Sequence, residues 1–449
     1  MHGSLRAVVA VTALWAGTAA AQDLPFAPGE DPRFDWAGYE AFAADHDLAG
    51  ETLTITGPWT GVDGERMAAM LVYFAEATGA RVAYSGSESF EQDIVIGVQS
   101  DSPPDVAVFP RPGLARDMAA RGVLAPLDPA VADWVRASHA AGDSWADLAT
   151  FEGPDGQQRL FGLFFGAEVK SLVWYSPGRF AAEGHAPPRS MDELRALTER
   201  MAAGGGAPWC LGVAARGGAP AGALAADWVE EMMLRTQPAE VYDAWASNAI
   251  PFDDARVAAA IDAFGWFARE DAFVDGGAGA AAEMTPAEAA RGLLGDAPRC
   301  HMVRGGASLA AAFPEDAEVG FFYLPADADA GRGRPVLGDA ALVAVVVDGP
   351  AAQAFVRWLM TPFAHEIRMA LGGFVTPLDA AGPEAYAGDD ERALGAILRD
   401  ATTFRLDASD LMPREIGAEA FPEGMLDYLA GADAAGVAAA IQDRWSAIR

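Results

Sequence analysis

Three loop segments early in the chain gather residue types suited to holding a small molecule. Trp59, Thr60, Gly61 and Asp63 follow the strand-like run LTITGP; Ser87, Glu88, Ser89, Phe90 and Glu91 follow RVAY; Pro110, Arg111 and Pro112 follow VAVF. Aromatic faces cover apolar C–H surfaces, while carboxylates and guanidinium groups meet hydroxyls. A hydrogen bond to a charged group contributes about 1.5–3 kcal/mol, and an aromatic face adds ~25 cal/mol per Å2 of apolar area covered. Two or three such bonds and one platform reach about −8 kcal/mol, or micromolar binding, after association costs. Taken singly, each residue also reads as a solvated turn or helix cap, with Asp63 capping a helix that begins near Glu65 and Ser89 capping the next. The functional reading rests on all three loops lying at one edge of a sheet.

Further candidates lie downstream. Asp227 and Trp228 follow the loop GGAPAGALAA at an expected helix start and offer a carboxylate and a platform; the alternative is a cap and a core tryptophan. Arg304 follows the strand CHMV, Gly338 and Asp339 interrupt a β-rich run, and Gly373 and Phe374 follow a helix end. Each of these also reads as turn or core. Lys170 is the one lysine among 31 Lys and Arg residues, and it lies at an expected crossing between lobes. It reads equally as a surface lysine. Trp174 and Tyr175 sit inside a strand-like run and read as core.

The elements that must position these groups point to an α/β fold. From 53 to 128 the chain alternates strand, polar loop and helix, the order of a doubly wound sheet whose ligand loops gather at the carboxyl ends of its strands. RLFGLFF and GAEVKSLVWYS read as strands. A helical stretch follows, with Ser190 and Glu193 spaced as a capping box and Gly204 to Gly206 as its stop. PWCLGVA, CHMV, EVGFFYLPA and RPVLGDAALVAVVV read as further strands, and the remainder is largely helical. No long linker divides the chain. We therefore expect two discontinuous lobes, 51–167 with 335–376 and 168–334 with 377–449, preceded by an N-terminal arm at 22–50.

Composition narrows the function. The 449 residues are 51% hydrophobic and 21% charged, as in globular proteins, and the formal net charge is −33. Nucleic acids and anionic membranes are poor partners for such a surface. Arg6, the apolar run Ala7–Gly17 and Ala19-Ala20-Ala21 read as a signal peptide, residues 1–21, cut before Gln22 with no lipid-anchoring cysteine. An exported, periplasmic chain makes a Cys210–Cys300 disulfide the expectation, with two buried thiols as the alternative. The six histidines are scattered, so neither a metal nor a cofactor is expected. There is no nucleophile elbow, P-loop or dinucleotide fingerprint. A glycosidase would need two carboxylates facing each other across its substrate, and none of the 64 acidic residues is singled out.

Several stretches together carry a resemblance over nearly the whole mature chain. They are GPW at 57–59, YSGSESFEQDI at 84–94, PPDVAVFPRPGL at 103–114, VKSLVWY at 169–175, GGAPWCLG at 205–212, DWVEEMMLRTQPAEVYDAW at 227–245, ALGGFVTP at 370–377 and TTFRLDASDLMP at 402–413. The chain resembles the extracellular solute-binding proteins of ABC sugar importers, and most closely the periplasmic alpha-glucoside-binding proteins. The resemblance implies two α/β lobes on a multi-strand hinge with a sugar in the cleft, an alpha-linked glucoside as ligand, and delivery by a monomer to membrane permease subunits. It implies Trp228 as the stacking platform and Asp63 and Glu91 as hydroxyl acceptors; Arg304 is expected as a donor beside them. The chain departs from the family pattern at the loop before Asp227, at Arg304-Gly305, at Gly338-Asp339-Ala340 and at Arg111. Arg111 and Arg304 leave open an anionic or sulfonated sugar, and a secreted glycoside hydrolase is the remaining rival.

Overall fold

The computed structural model describes residues 24–215, 219–326 and 331–448; the signal-peptide segment lies outside them. Strands β1 (Thr52–Gly57), β2 (Arg81–Gly86) and β3 (Val106–Phe109) run parallel, with β1 central. Their β-branched and aromatic residues suit a pleated surface; β1 alternates exposed and buried residues, β2 lies at the exposed edge, and all four residues of β3 are buried. Helix Gly61–Thr78 joins β1 to β2, and its end at Gly79 adopts the left-handed conformation (φ 71°) that glycine allows without strain. A small hairpin, β4 (Thr150–Glu152) with β5 (Gln158–Leu160), precedes β6 (Gly162–Val169).

Past Val169 the chain enters a second, four-stranded sheet. Strands β7 (Leu172–Tyr175), β8 (Ala207–Trp209), β9 (Cys300–Arg304) and β10 (Gly320–Tyr323) stand in the order β10-β7-β9-β8. The chain then returns through β11 (Pro335–Val345). This strand pairs antiparallel with both β3 and β6, and parallel with β12 (Thr403–Arg405), completing the six-stranded sheet. The result is two lobes, as the resemblance implied.

The lobe boundary differs from the expected one. Residues 377–406 belong to the first lobe, not the second: Leu378, Tyr386, Leu398 and Phe404 lie in the core of the six-stranded sheet, and helix Asp389–Arg399 packs against β6. The helical periodicity of this segment gave no sign of which sheet it covers. The N-terminal arm carries a helix, Trp36–Asp45, whose Trp36, Tyr39 and Phe42 pack edge-on against Tyr73, Trp358 and Phe363 of the first lobe. In the capping box only half of the pattern forms. Ser190 accepts from the Glu193 N–H, but the Glu193 carboxylate accepts from the Arg189 N–H instead.

Three segments cross between the lobes, at Lys170–Ser171, around Leu324–Pro335 and at Leu406–Asp407, and they are stitched together. Lys170 N–H donates to Leu337 O (2.8 Å), Leu324 N–H to Ser171 O (2.9 Å), and Leu337 N–H to the Ser171 hydroxyl (2.8 Å). That hydroxyl in turn donates to the buried Glu231 carboxylate at 3.0 Å.

Cys210 and Cys300 are bonded, with Cα atoms 5.5 Å apart, and tie the end of β8 to the start of β9 across 90 residues of sequence. A cross-link closing so long a loop removes much of the freedom of the unfolded chain. Replacing both cysteines with serine is expected to lower stability by about 2–5 kcal/mol, read as an earlier urea midpoint, with reductant moving the wild-type protein alone to the same place.

Candidate functional site

Two chambers meet at the boundary of the lobes and share Asp339. The first, about 260 Å3, is lined by Trp59, Asp63, Glu168, Arg368, Gly373 and Phe374 among others. The second, about 300 Å3, includes Lys170, Asp227, Arg304, Gly306, Ser308 and the segment Ala219–Leu224 in its walls. Residues 216–218 of that loop lie outside the described part. A larger hollow of about 740 Å3 lies elsewhere, at the far end of the second sheet. It is wide and shallow, and none of the loops singled out above reaches it, so the paired chambers are the candidate site.

The first chamber is built on the loop after β1. Tyr84 clamps this loop from below: its hydroxyl accepts from Trp59 N–H and donates to Trp59 O, both at 3.1 Å. Burial raises the Tyr84 phenol to about 12, so it keeps its proton. A side chain at Gly86 would strike Trp59 O at 1.8 Å, which explains the glycine there. Asp63 stands in the first turn of helix Gly61–Thr78, where the helix dipole favours a carboxylate. Arg66 lies 3.0 Å from it and Arg368 3.8 Å. Burial lowers the Arg368 guanidinium to about 10, and its NH1 donates to Gly372 O at 2.7 Å. Gly372 and Gly373 both have positive φ (84° and 64°), which turns the chain so that Phe374 lies against Phe165 with ring centroids 4.8 Å apart.

Charge dominates the second chamber. Lys170 Nζ bonds Asp407 and lies 3.0 Å from Asp339. Burial works against this ammonium, but Asp407, Asp227 and Asp339 outweigh it and hold the group well above the ordinary lysine value. Arg304 is buried between Asp227 (3.4 Å) and Glu231 (3.0 Å), and Glu231 also pairs with Arg235. Glu230 is fully buried without a cation of its own. Its Oε1 accepts from Ser409 N–H at 2.9 Å, while Oε2 has no partner, and neither has the neighbouring Asp407 Oδ1. Burial, then the charge on Asp227, pushes the Glu230 carboxyl up to about 8.

Of the residues expected from sequence, Trp59, Asp63, Asp227, Arg304, Asp339, Gly373 and Phe374 line the chambers. Six do not. Trp228 is 2% exposed and packs against Trp209, Phe264 and Phe267 in the core of the second lobe, so neither ring face can receive a ligand. The reason is geometric. The helix begins at Ala223, not at Asp227, and consecutive helical residues point about 100° apart; with Asp227 at the chamber, Trp228 turns inward. Phe90 is likewise core, edge-on to Phe109. Gly338 is buried where a side chain would meet Glu168 O at 2.1 Å, so it serves strand packing. The Ser87 hydroxyl bonds Asp93 and accepts from Ser89 N–H, within its own turn. Arg111 lies between Glu91 (3.6 Å) and Asp410 (3.5 Å) on the exposed rim, where it spans the two lobes. Sequence reasoning missed Glu168 and Arg368, since nothing in a strand interior or a helix end marked them. It named Lys170 without placing it in the site.

The raised Glu230 carboxyl has a definite sign. The folded protein keeps this proton up to about pH 8 while the unfolded chain releases it near 4.5. Stability from this group is therefore full below 4.5 and is lost as pH rises through that window. Between pH 5 and 8 the stability of wild type relative to Glu230→Gln is expected to fall by more than about 1 kcal/mol, measured by urea unfolding of both proteins at each pH.

Comparison with known proteins agrees with this geometry. Residues 61–365 match the family described as bacterial extracellular solute-binding protein. The alpha-glucosides-binding periplasmic protein AglE of Rhizobium meliloti (strain 1021) is 48% identical over 460 aligned positions, covering 100% of both chains. The osmoprotective compounds-binding protein GgtB of Synechocystis sp. is 35% identical over 88% of this chain and 92% of its own. Among solved structures, the bacterial solute receptor AcbH superposes with a TM-score of 0.74 at 16% identity, covering 88% of this chain and 99% of that one. RafE from Streptococcus pneumoniae gives 0.67 at 14%, covering 89% and 98%. These two similarities speak to fold alone. A family match spanning most of the chain, a full-length relative at this identity and a two-lobed fold with its cavities at the lobe boundary lead to one conclusion: the chain belongs to the bacterial extracellular solute-binding proteins.

Proposed function

We propose that this protein captures a neutral alpha-linked glucoside, such as trehalose, sucrose, maltose or an isomer, in the periplasm. It then delivers the sugar chemically intact to the permease subunits of an ABC importer. The observation that carries the reading is the pair of chambers joined at Asp339. Each falls near the lower end of the roughly 300–1,000 Å3 usual for small-molecule sites, so together they suit a ligand of two rings. The name of the relative AglE supports the glucoside class.

The work of the site is closure. A ligand drives the lobes together only through contacts that differ between the open and closed states. Trp59 is the aromatic platform in this reading, replacing Trp228. Asp63, Asp227, Asp339 and Glu168 accept from sugar hydroxyls, and Arg304 donates. No covalent step is proposed. The anionic-sugar alternative loses support because both arginines that suggested it are already paired, Arg111 with Glu91 and Asp410, Arg304 with Asp227 and Glu231.

Titration calorimetry against trehalose, sucrose, maltose and palatinose is expected to give at least one micromolar dissociation constant, about −8 kcal/mol; silence from all four ends the proposal. Two tryptophans separate recognition from packing. Trp59→Ala is expected to weaken binding about tenfold or more with little change in melting temperature. Trp228→Ala is expected to cost about 3–5 kcal/mol of stability.

A further inference from the structure

The large hollow at the far end of the second sheet carries a cluster that the cleft does not use. Glu183 lines this hollow together with Arg179, and beside it Glu183, His185 and His301 bring a carboxylate oxygen and two imidazole nitrogens within 4.8 Å of one another. Distant in sequence, they are brought together by two rigid elements. Helix Pro177–Ala182 ends in a turn in which Gly184 (φ 71°) lets His185 N–H reach Phe180 O (2.8 Å) and its own N–H reach Ala181 O (3.3 Å). This paired-bond ending folds Glu183 and His185 onto one side. His301 is the second residue of β9, directly after the disulfide-bonded Cys300.

The hydrogen bonds around His301 do not close without a cation. Its Nδ1 lies 3.1 Å from Ala207 O, an acceptor only, so Nδ1 carries the proton. In the neutral tautomer the lone pair of Nε2 then faces Glu183 Oε2 at 2.9 Å, and that oxygen lies 3.4 Å from His185 Nε2; a second proton on His301 or a bound cation resolves the clash. Two acceptors at hydrogen-bond distance call for positive charge between or beside them. Arg179 supplies some: its NH2 lies 3.0 Å from His301 Nε2, and its Nε donates to Glu183 Oε1 at 2.8 Å.

We propose that Glu183, His185 and His301 form a divalent-cation site of zinc type, for which the Arg179 guanidinium is a displaceable stand-in. Two imidazoles and one carboxylate are a zinc donor set. With bonds of about 2.0–2.1 Å, the edge of a tetrahedral site is roughly 3.3 Å, and the two measured edges, 2.9 and 3.4 Å, straddle it. An Nδ1–H held by a backbone carbonyl is how ligating histidines are oriented. The hollow gives an ion access, and Arg179, partly exposed, can swing into it.

Metal and guanidinium compete, which makes the test discriminating. Metal-stripped protein is titrated with ZnCl2 by calorimetry, and with CoCl2 by visible absorption. One Zn2+ per chain and the intense bands of four-coordinate Co2+ are expected. Arg179→Ala should bind about tenfold tighter, while His185→Ala and His301→Ala should each bind about tenfold weaker or worse. Cooperative thermal unfolding checks the fold of each variant; His185 is only partly buried, so its variant keeps the test open if the His301 variant does not fold. The proposal fails if neither wild type nor Arg179→Ala takes up one equivalent of Zn2+, or if His185→Ala binds as wild type does. The cluster is then a hydrogen-bonded ion pair only.

Discussion

The side chain of Lys170 lies between Asp407 and Asp339, and its backbone N–H bonds Leu337 O, so one residue of the first crossing grips both of the others. Taking such charges out of water costs several kcal/mol per ion, and a buried pair often contributes nothing net to stability. What the pairing does fix is position. Removing either partner would leave an uncompensated buried charge, at about 3–5 kcal/mol. The three strands between the lobes therefore share one register, and Asp339 is held where the two chambers meet.

That arrangement decides which interaction controls closure. Arg111 spans the lobes at the rim, but its pairs are long, 3.6 Å to the exposed Glu91 and 3.5 Å to the half-buried Asp410. Exposed pairs contribute about 0–1 kcal/mol, too little to latch two domains. The interior carboxylates have their cations already, except Glu230, which keeps a proton instead. Asp339 is the exception in access: its side chain is 39% exposed even while it pairs with Lys170. A hydroxylated ligand can add to such a group without displacing an existing partner, whereas an anionic ligand would meet a wall of carboxylates with no free guanidinium among those named.

Much of this was legible in the sequence, and the failures have physical causes. The alternation of strand and helix from 53 to 128 was legible because β1 alternates buried and exposed residues, β3 is apolar throughout, and the helices between carry period-3.6 patterns. Trp59 and Asp63 could be found because polar and aromatic residues follow the end of β1, and Asp227 and Asp339 because each places a carboxylate within an otherwise apolar run. Trp228 could not be placed, because adjacent helical residues point about 100° apart, so a helix that carries Asp227 to the cleft turns its neighbour into the core. Segment 377–406 shows the same limit at larger scale: an amphipathic helix declares that it has an apolar face, not which sheet that face meets. His185 and His301 read as scattered because the turn at Gly184 and the pairing of β7 with β9, not sequence spacing, bring them together.

Lys170 also explains a compositional oddity. The chain uses arginine for all but one of its 31 basic side chains. An arginine fork is planar and favours one carboxylate gripped through two parallel bonds. At this position two carboxylates from different segments, Asp407 and Asp339, must be met from one point. A compact ammonium with three rotatable donors does that. Both carboxylates belong to the hinge, and Lys170 also lines the second chamber. The one lysine thus stands where the geometry needs a point charge, at the place where hinge and ligand site are the same set of atoms.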